Sequence, residues 1–173
     1  MEITTERLVI RRFRGEDAAA FAAYRSEPEV ARYQGWDAPY PIEQARAAVE
    51  AFANGDPARP GWFQYAVDLR GELIGDIGIR LHDNLMQADL GFTLAPAYQG
   101  KGYAAEAVAA LLDHLFTTQR LHRVSAECDA RNAASARLLK RLGFQQEGLR
   151  PAYTWAKGEW TDDLLFGLLA EYR

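Results

Sequence analysis

The sequence predicts one α/β or α+β domain spanning residues 1–173, a mixed sheet with helices on its faces. Three observations carry that prediction. The chain of 173 residues is 49% hydrophobic and 25% charged, which suits one globular domain with its own core. Strand-like segments cluster between residues 62 and 95. Beyond residue 103, helical and strand-like spacing alternate to the C-terminus.

The elements follow in order. Arg7–Phe13 reads as a strand through its β-branched residues and partial alternation. After Gly15-Glu16-Asp17, an Ala-rich stretch repeats Phe21 and Tyr24 at helical spacing. Pro28 suits the first turn of a short helix over 29–33. A loop rich in Gly, Pro and aromatics, residues 35–40, leads to Pro41, which opens a helix through Phe52; Asn54-Gly55 closes it. Strands over 62–69 and 72–81 are joined at Arg70-Gly71, a hairpin signal. A third strand, 87–95, alternates Leu90, Phe92 and Leu94, and Pro96, Gly100 and Gly102 break it. Val108, Leu111, Leu112, Leu115 and Phe116 define a helix over 103–118. A strand over 122–128 and a helix over 132–142 follow, the latter ended by Gly143. Two long strands, 144–157 and 159–169, turn at Lys157-Gly158.

Charge and cysteine usage narrow the function. Twenty Lys and Arg against 24 Asp and Glu give a net charge of −4. No basic stripe marks a nucleic-acid or anionic-membrane partner, and a mildly acidic surface tolerates cationic amines. The single cysteine, Cys128, precludes an internal disulfide framework. It reads as a packed, inert thiol. With no secretory leader and no apolar run of about 20 residues, a cytoplasmic location is expected. His82, His114 and His122 show no metal-ligand spacing, so no metal is expected.

The sharpest local feature is Gln99-Gly100-Lys101-Gly102-Tyr103-Ala104, between a strand and a well-patterned helix. Glycines here let a ligand approach the main chain, and the first N–H groups of a helix lack internal partners. A diphosphate fits such a nest. The Walker loop is excluded because Lys101 is followed by Gly102, and the dinucleotide fingerprint lacks its third glycine. The bland alternative is an ordinary Gly-containing turn. About thirty residues on, Asn132 and Ser135 lie three apart in a first helical turn. Alone they read as an N-cap and a solvated serine. Together the two features imply adjacent helix starts flanking a cleft.

These residues resemble the GNAT superfamily of acetyl-CoA-dependent N-acetyltransferases, and most of all its RimJ/RimL-type branch. The resemblance begins at Thr5-Glu6-Arg7-Leu8-Val9-Ile10-Arg11. It continues through Gly75-Asp76-Ile77-Gly78, Ala88-Asp89-Leu90-Gly91-Phe92 and Leu94-Ala95-Pro96, and ends with Leu142-Gly143-Phe144 and Glu147-Gly148. It implies a mostly antiparallel sheet that splays at the cofactor strand. It assigns the coenzyme A diphosphate to the backbone N–H groups of Gln99, Gly100, Lys101, Gly102, Tyr103 and Ala104. The pantetheine arm falls to the strand carrying Phe92 and Leu94, and Asn132 would hydrogen-bond the cofactor.

The resemblance also implies the chemistry. Ser135 stands where this branch has a serine suited to protonating the departing thiolate. Many relatives use instead a tyrosine four residues before the Gly-Phe pair, a position held here by Leu139. Asp89 lies where many relatives have a glutamate acting through water, its alternative being an exposed strand aspartate. Trp36 lies in a loop that shapes the acceptor site in relatives. Asp162 and Asp163 read as solvated strand-end charges, or as groups facing a cationic acceptor. The acceptor is a protein N-terminus, as on a ribosomal protein, or a small amine, with an aminoglycoside-type antibiotic as the alternative. A non-catalytic acetyl-CoA-binding regulatory module competes from another class, but a pure binder would need only the glycine loop. A homodimer is compatible with the branch and has no signature in the sequence.

Overall fold

The computed structural model describes residues 2–173. Eight strands form one sheet: β1 (Ile3–Thr4), β2 (Val9–Arg11), β3 (Gly61–Leu69), β4 (Glu72–Leu81), β5 (Gln87–Leu94), β6 (Arg123–Asp129), β7 (Gln145–Ala156) and β8 (Glu159–Leu169). Their order is β1-β2-β3-β4-β5-β6-β8-β7. All neighbours are antiparallel except β5 and β6. The helices are α1 (Ala18–Arg25), α2 (Pro28–Ala31), α3 (Ile42–Asn54), α4 (Tyr103–Thr117) and α5 (Ala133–Arg141).

Alternation along the strands builds two cores. Tyr65 and Val67 on β3 face α4, whose Val108, Leu111, Leu112 and Leu115 are buried with them. Ala66, between them, faces the other way, into a cluster with Phe13, Phe21, Tyr40 and Val49. So α1 and α3 cover one face and α4 and α5 the other, as the periodicity predicts.

The first strand is the main local difference. Residues 7–13 were expected to be continuous, but only Val9–Arg11 are in strand, and Ile3–Thr4 fold back on them. Arg11 explains the break. The residue is 3% exposed, and its guanidinium is held 2.8 and 2.9 Å from the two Asp17 oxygens and 2.8 Å from Asp68 Oδ2. Asp17 in turn accepts from the Arg14 N–H, and Asp68 from the Gly71 N–H at the β3–β4 turn. The chain therefore bends away after Arg11 to complete a buried ionic cluster. The Asp17 hydrogen bonds, reinforced by Asp68, raise the Arg11 pKa against the desolvation that opposes them, so it stays charged.

One feature of the sheet positions everything that follows. The parallel β5–β6 ladder runs from Gln87↔Arg123 only to Leu90↔Ala126. Beyond it Gly91–Leu94 and Glu127–Asp129 diverge, and the sheet opens into a wedge. Because the two strands are parallel, the helices after them both begin at this open end, so α4 and α5 present their N-termini to it. No helix is long and apolar enough to cross a membrane.

Candidate functional site

A groove of about 750 Å³ runs through the wedge. Phe92, Thr93 and Leu94 of β5 form one wall, the 99–105 loop a second, and Asn132, Ser135, Arg137 and Arg141 a third. The structure thus brings together Phe92, Leu94, Gln99, Gly100, Gly102, Tyr103, Ala104, Asn132 and Ser135. Of the expected loop residues only Lys101 is off the wall; its Nζ donates to the Ala97 carbonyl at 2.8 Å.

Each wall has a local cause. Gly100 and Gly102 have φ of +73° and +84°, in the left-handed region that glycine enters without a Cβ penalty. Two such turns bend the chain from β5 into α4. The first helical bond is Glu106 N–H to Gly102 C=O, and the N–H groups of residues 100–105 have no acceptor among the described residues. Six donors at a helix N-terminus attract an anion. The Gln99 side chain closes the loop onto β5 through the Leu94 carbonyl at 2.8 Å.

The loop is braced from behind. Arg7 Nη1 donates to the Lys101 carbonyl at 3.1 Å, Arg7 Nε to Glu106 at 2.6 Å, and the guanidinium covers the Tyr103 ring at 4.5 Å. Partial burial pushes the Glu106 carboxyl up, but hydrogen bonds from the Thr5 hydroxyl and from Arg7 outweigh it and hold the pKa below the usual range.

In the third wall, Asn132 caps α5, its Oδ1 accepting the Ser135 N–H at 3.1 Å. This is the bland role anticipated for it, and it leaves the amide NH₂ of Asn132 for the groove. The Ser135 hydroxyl has no hydrogen-bond partner among the described residues. Sequence reasoning missed Arg137 and Arg141, although their i, i+4 spacing puts both on one helix face. With Arg32 from across the groove they add positive charge to it.

Asp89 stands apart from the other expected residues. It lies on β5 before the wedge and borders neither the groove nor the pocket described below. Its Oδ2 accepts from Arg80 Nε at 2.8 Å and sits 3.1 Å from His82 Nε2. Asp89→Asn is expected to leave both the pH dependence and the acceptor preference of any amine transfer unchanged; kcat/KM against pH for an α-amine and a lysine-like amine checks this.

Trp36, expected near the acceptor, lines neither cavity, although its chain neighbours do. Its indole turns inward, donating to the Arg25 carbonyl at 3.1 Å and stacking 3.8 Å from the Arg25 guanidinium, which Phe21 covers at 4.0 Å on its own side. The cation claims the aromatic face that a ligand would have used. The neighbours Gly35 and Asp37 reach the cleft instead.

They line a second pocket of about 380 Å³, which shares Arg32, Tyr33 and Gln34 with the groove. Its other walls are Glu127–Asp129, Arg131, Thr154–Lys157, Thr161 and Asp163. Cys128 is half-buried here; desolvation, with Asp129 and Asp163 alongside, pushes its thiol up to about 11, so it is a neutral wall group. Asp163, read from the sequence as a strand-end charge, is only 5% exposed. No cluster of three metal-capable side chains occurs among the described residues.

A family profile described as "Acetyltransferase (GNAT) domain" matches residues 7–145. The chain is 35% identical to the uncharacterized N-acetyltransferase p20 of Bacillus licheniformis, over 95% of this chain and 94% of that protein. It is 30% identical to the [ribosomal protein uS5]-alanine N-acetyltransferase of Escherichia coli, over 97% and 90%. Mycobacterium smegmatis RimJ, solved in complex with CoA-disulfide, superposes with a TM-score of 0.82 at 29% identity, over 95% of this chain and 82% of that one.

Proposed function

Because the chain belongs to the GNAT acetyltransferase family, in its RimJ/RimL-type branch, and is therefore an acetyltransferase, we propose that it carries acetyl from acetyl-CoA to the α-amino group of a peptide N-terminus, by direct attack with both substrates bound. The observation that carries the donor side is the row of six uncommitted N–H groups, residues 100–105, at the start of α4. They suit the diphosphate of coenzyme A. Arg137 and Arg141 add charge for its remaining phosphate, and the open edge of Gly91–Leu94 offers main-chain pairing to the pantetheine amides.

Acetyl-CoA supplies an acyl group activated as a thioester. The chain's part is positioning, exclusion of water and proton handling. The wedge leads the acyl end through the sheet toward Arg32–Gln34, where the second pocket opens. The Asn132 amide and the Ser135 hydroxyl stand at that passage, and the hydroxyl donates to the departing sulfur. An α-amine of pKa ~7.7–8.0 is roughly a quarter to two-fifths neutral near pH 7.5, against about 0.1% for a lysine at ~10.4. An α-amine therefore reacts with little help beyond orientation. The relative named as a [ribosomal protein uS5]-alanine N-acetyltransferase supports this acceptor class.

The test is thiol release from acetyl-CoA with purified protein, set against peptide N-termini, a polyamine and an aminoglycoside, with mass spectrometry of the acetylated atom. Turnover on peptide α-amines is expected; acetylation of a small amine alone would overturn the acceptor, and tight acetyl-CoA binding without any turnover would favour a sensing module. Ser135→Ala is expected to lower kcat by up to about 10²-fold with little change in acetyl-CoA affinity. Equal single-turnover rates would remove its role.

A further inference from the structure

On the acceptor reading above, we propose that Asp163 is the group that anchors the acceptor, receiving it as an ammonium that gives up one proton to solvent in the open pocket before the neutral amine attacks, and that the pocket is built for one ammonium rather than several. The observation is how the charges of this pocket are committed. Asp37 is met by Lys157 at 2.8 Å. Asp129 is met by Arg131 at 2.7 Å, and Glu127 is bonded to Arg150. Three of the four carboxylates are thus met by cations, two of them, Arg131 and Lys157, from the wall itself.

Asp163 differs. Its Oδ2 accepts from the Thr154 hydroxyl at 2.6 Å and lies 3.6 Å from Arg150, whose Nη2 is already bonded to Glu127. Its Oδ1 has no hydrogen-bond partner among the described residues, although the residue is 95% buried by the exposure above and lines the pocket. A buried carboxylate with one oxygen clamped and the other open to a cavity is a receptor for a donor. Thr154 is the clamp: it fixes the carboxylate plane from the partner strand, so that Oδ1 keeps its aim.

Selectivity follows from the same arrangement. A polyamine or an aminoglycoside brings further cations into a pocket whose other carboxylates are answered. It also meets Arg32, a residue of the wall shared with the groove. Each extra ammonium is desolvated without a partner, which is costly. A peptide N-terminus brings one charge and a neutral backbone behind it.

Asp163→Asn keeps the shape and removes the charge. With the intact enzyme, kcat/KM for an α-amine peptide is expected to fall about 10- to 100-fold, mainly through KM, while calorimetric acetyl-CoA binding is unchanged. Hydroxylamine, neutral at pH 7, is expected to be acetylated equally by both proteins. The wild-type KM for the peptide should rise as pH passes the amine pKa, and that rise should vanish in the variant. Equal losses on peptide and hydroxylamine would make Asp163 merely structural and overturn the proposal, as would an unchanged KM. Should Asp163→Asn not fold, Thr154→Val, which only releases the clamp, is expected to raise the peptide KM several-fold; no change would overturn the proposal equally. Direct calorimetry of the peptide against its N-acetylated form keeps this test separate from the acetyl-transfer reading: wild type that prefers the free amine without turning it over would leave the anchor standing and the reaction refuted.

Discussion

Gly102→Val is expected to weaken acetyl-CoA binding by more than about 100-fold while the protein remains folded. The backbone at 102 has φ +84°, where a β-branched side chain is a strained outlier costing on the order of 1–3 kcal/mol. A Cβ there would also stand 3.3 Å from Arg7 Nη2, the residue that braces the loop. The chain relieves both by turning residue 102 out of the left-handed region, and that rotation redirects the N–H groups beside it. Hydrogen bonds to a charged partner are worth about 1.5–3 kcal/mol each, so misdirecting two of them accounts for the expected loss. Calorimetric titration with acetyl-CoA, alongside a thermal melt to show folding, measures it. A folded variant with the wild-type Kd would refute the diphosphate site.

Arg11→Met is expected to destabilise the fold by about 3–5 kcal/mol, the cost of leaving buried charges uncompensated. Asp17 and Asp68 would keep their burial and lose their common partner. For a chain of this length that lowers Tm by roughly 6–20 °C. Paired denaturation curves of wild type and variant decide it, and a variant as stable as the wild type would refute the structural role of the cluster.

The groove proposed for the donor was legible because its signals are local. Gly100 and Gly102 announce a turn that needs positive φ, and Asn132 with Ser135 announces a helix start; each is readable within six residues. The acceptor side was not, since its pocket is assembled from residues 32–37, 127–131, 154–157 and 161–163, and no window holds more than one wall. The surroundings of Trp36 were hidden for a physical reason: the Arg25 guanidinium occupies its face, and nothing in the spacing of residues 25 and 36 says so. Those of Asp89 were hidden because a strand position does not reveal its cross-strand neighbour, here Arg80. Asp163 was half visible: its alternation with Leu164 and Phe166 places it opposite the α4 core, but only the packing of Thr154 beside it separates an anchored carboxylate from a solvated one.

The sheet order also has a consequence in time. β8 lies inside the sheet, between β6 and β7, although it is the last strand of the sequence. Every residue lining the first groove precedes residue 142, whereas the second pocket needs Thr154–Lys157, Thr161 and Asp163. During synthesis every residue of the first groove is therefore already joined to the chain while residues 142–173 are still to be added, a few seconds at about 5–20 residues per second. The side proposed to accept the amine is the last to have its parts, and it is the pairing of β8 with β6 that closes the sheet beside them.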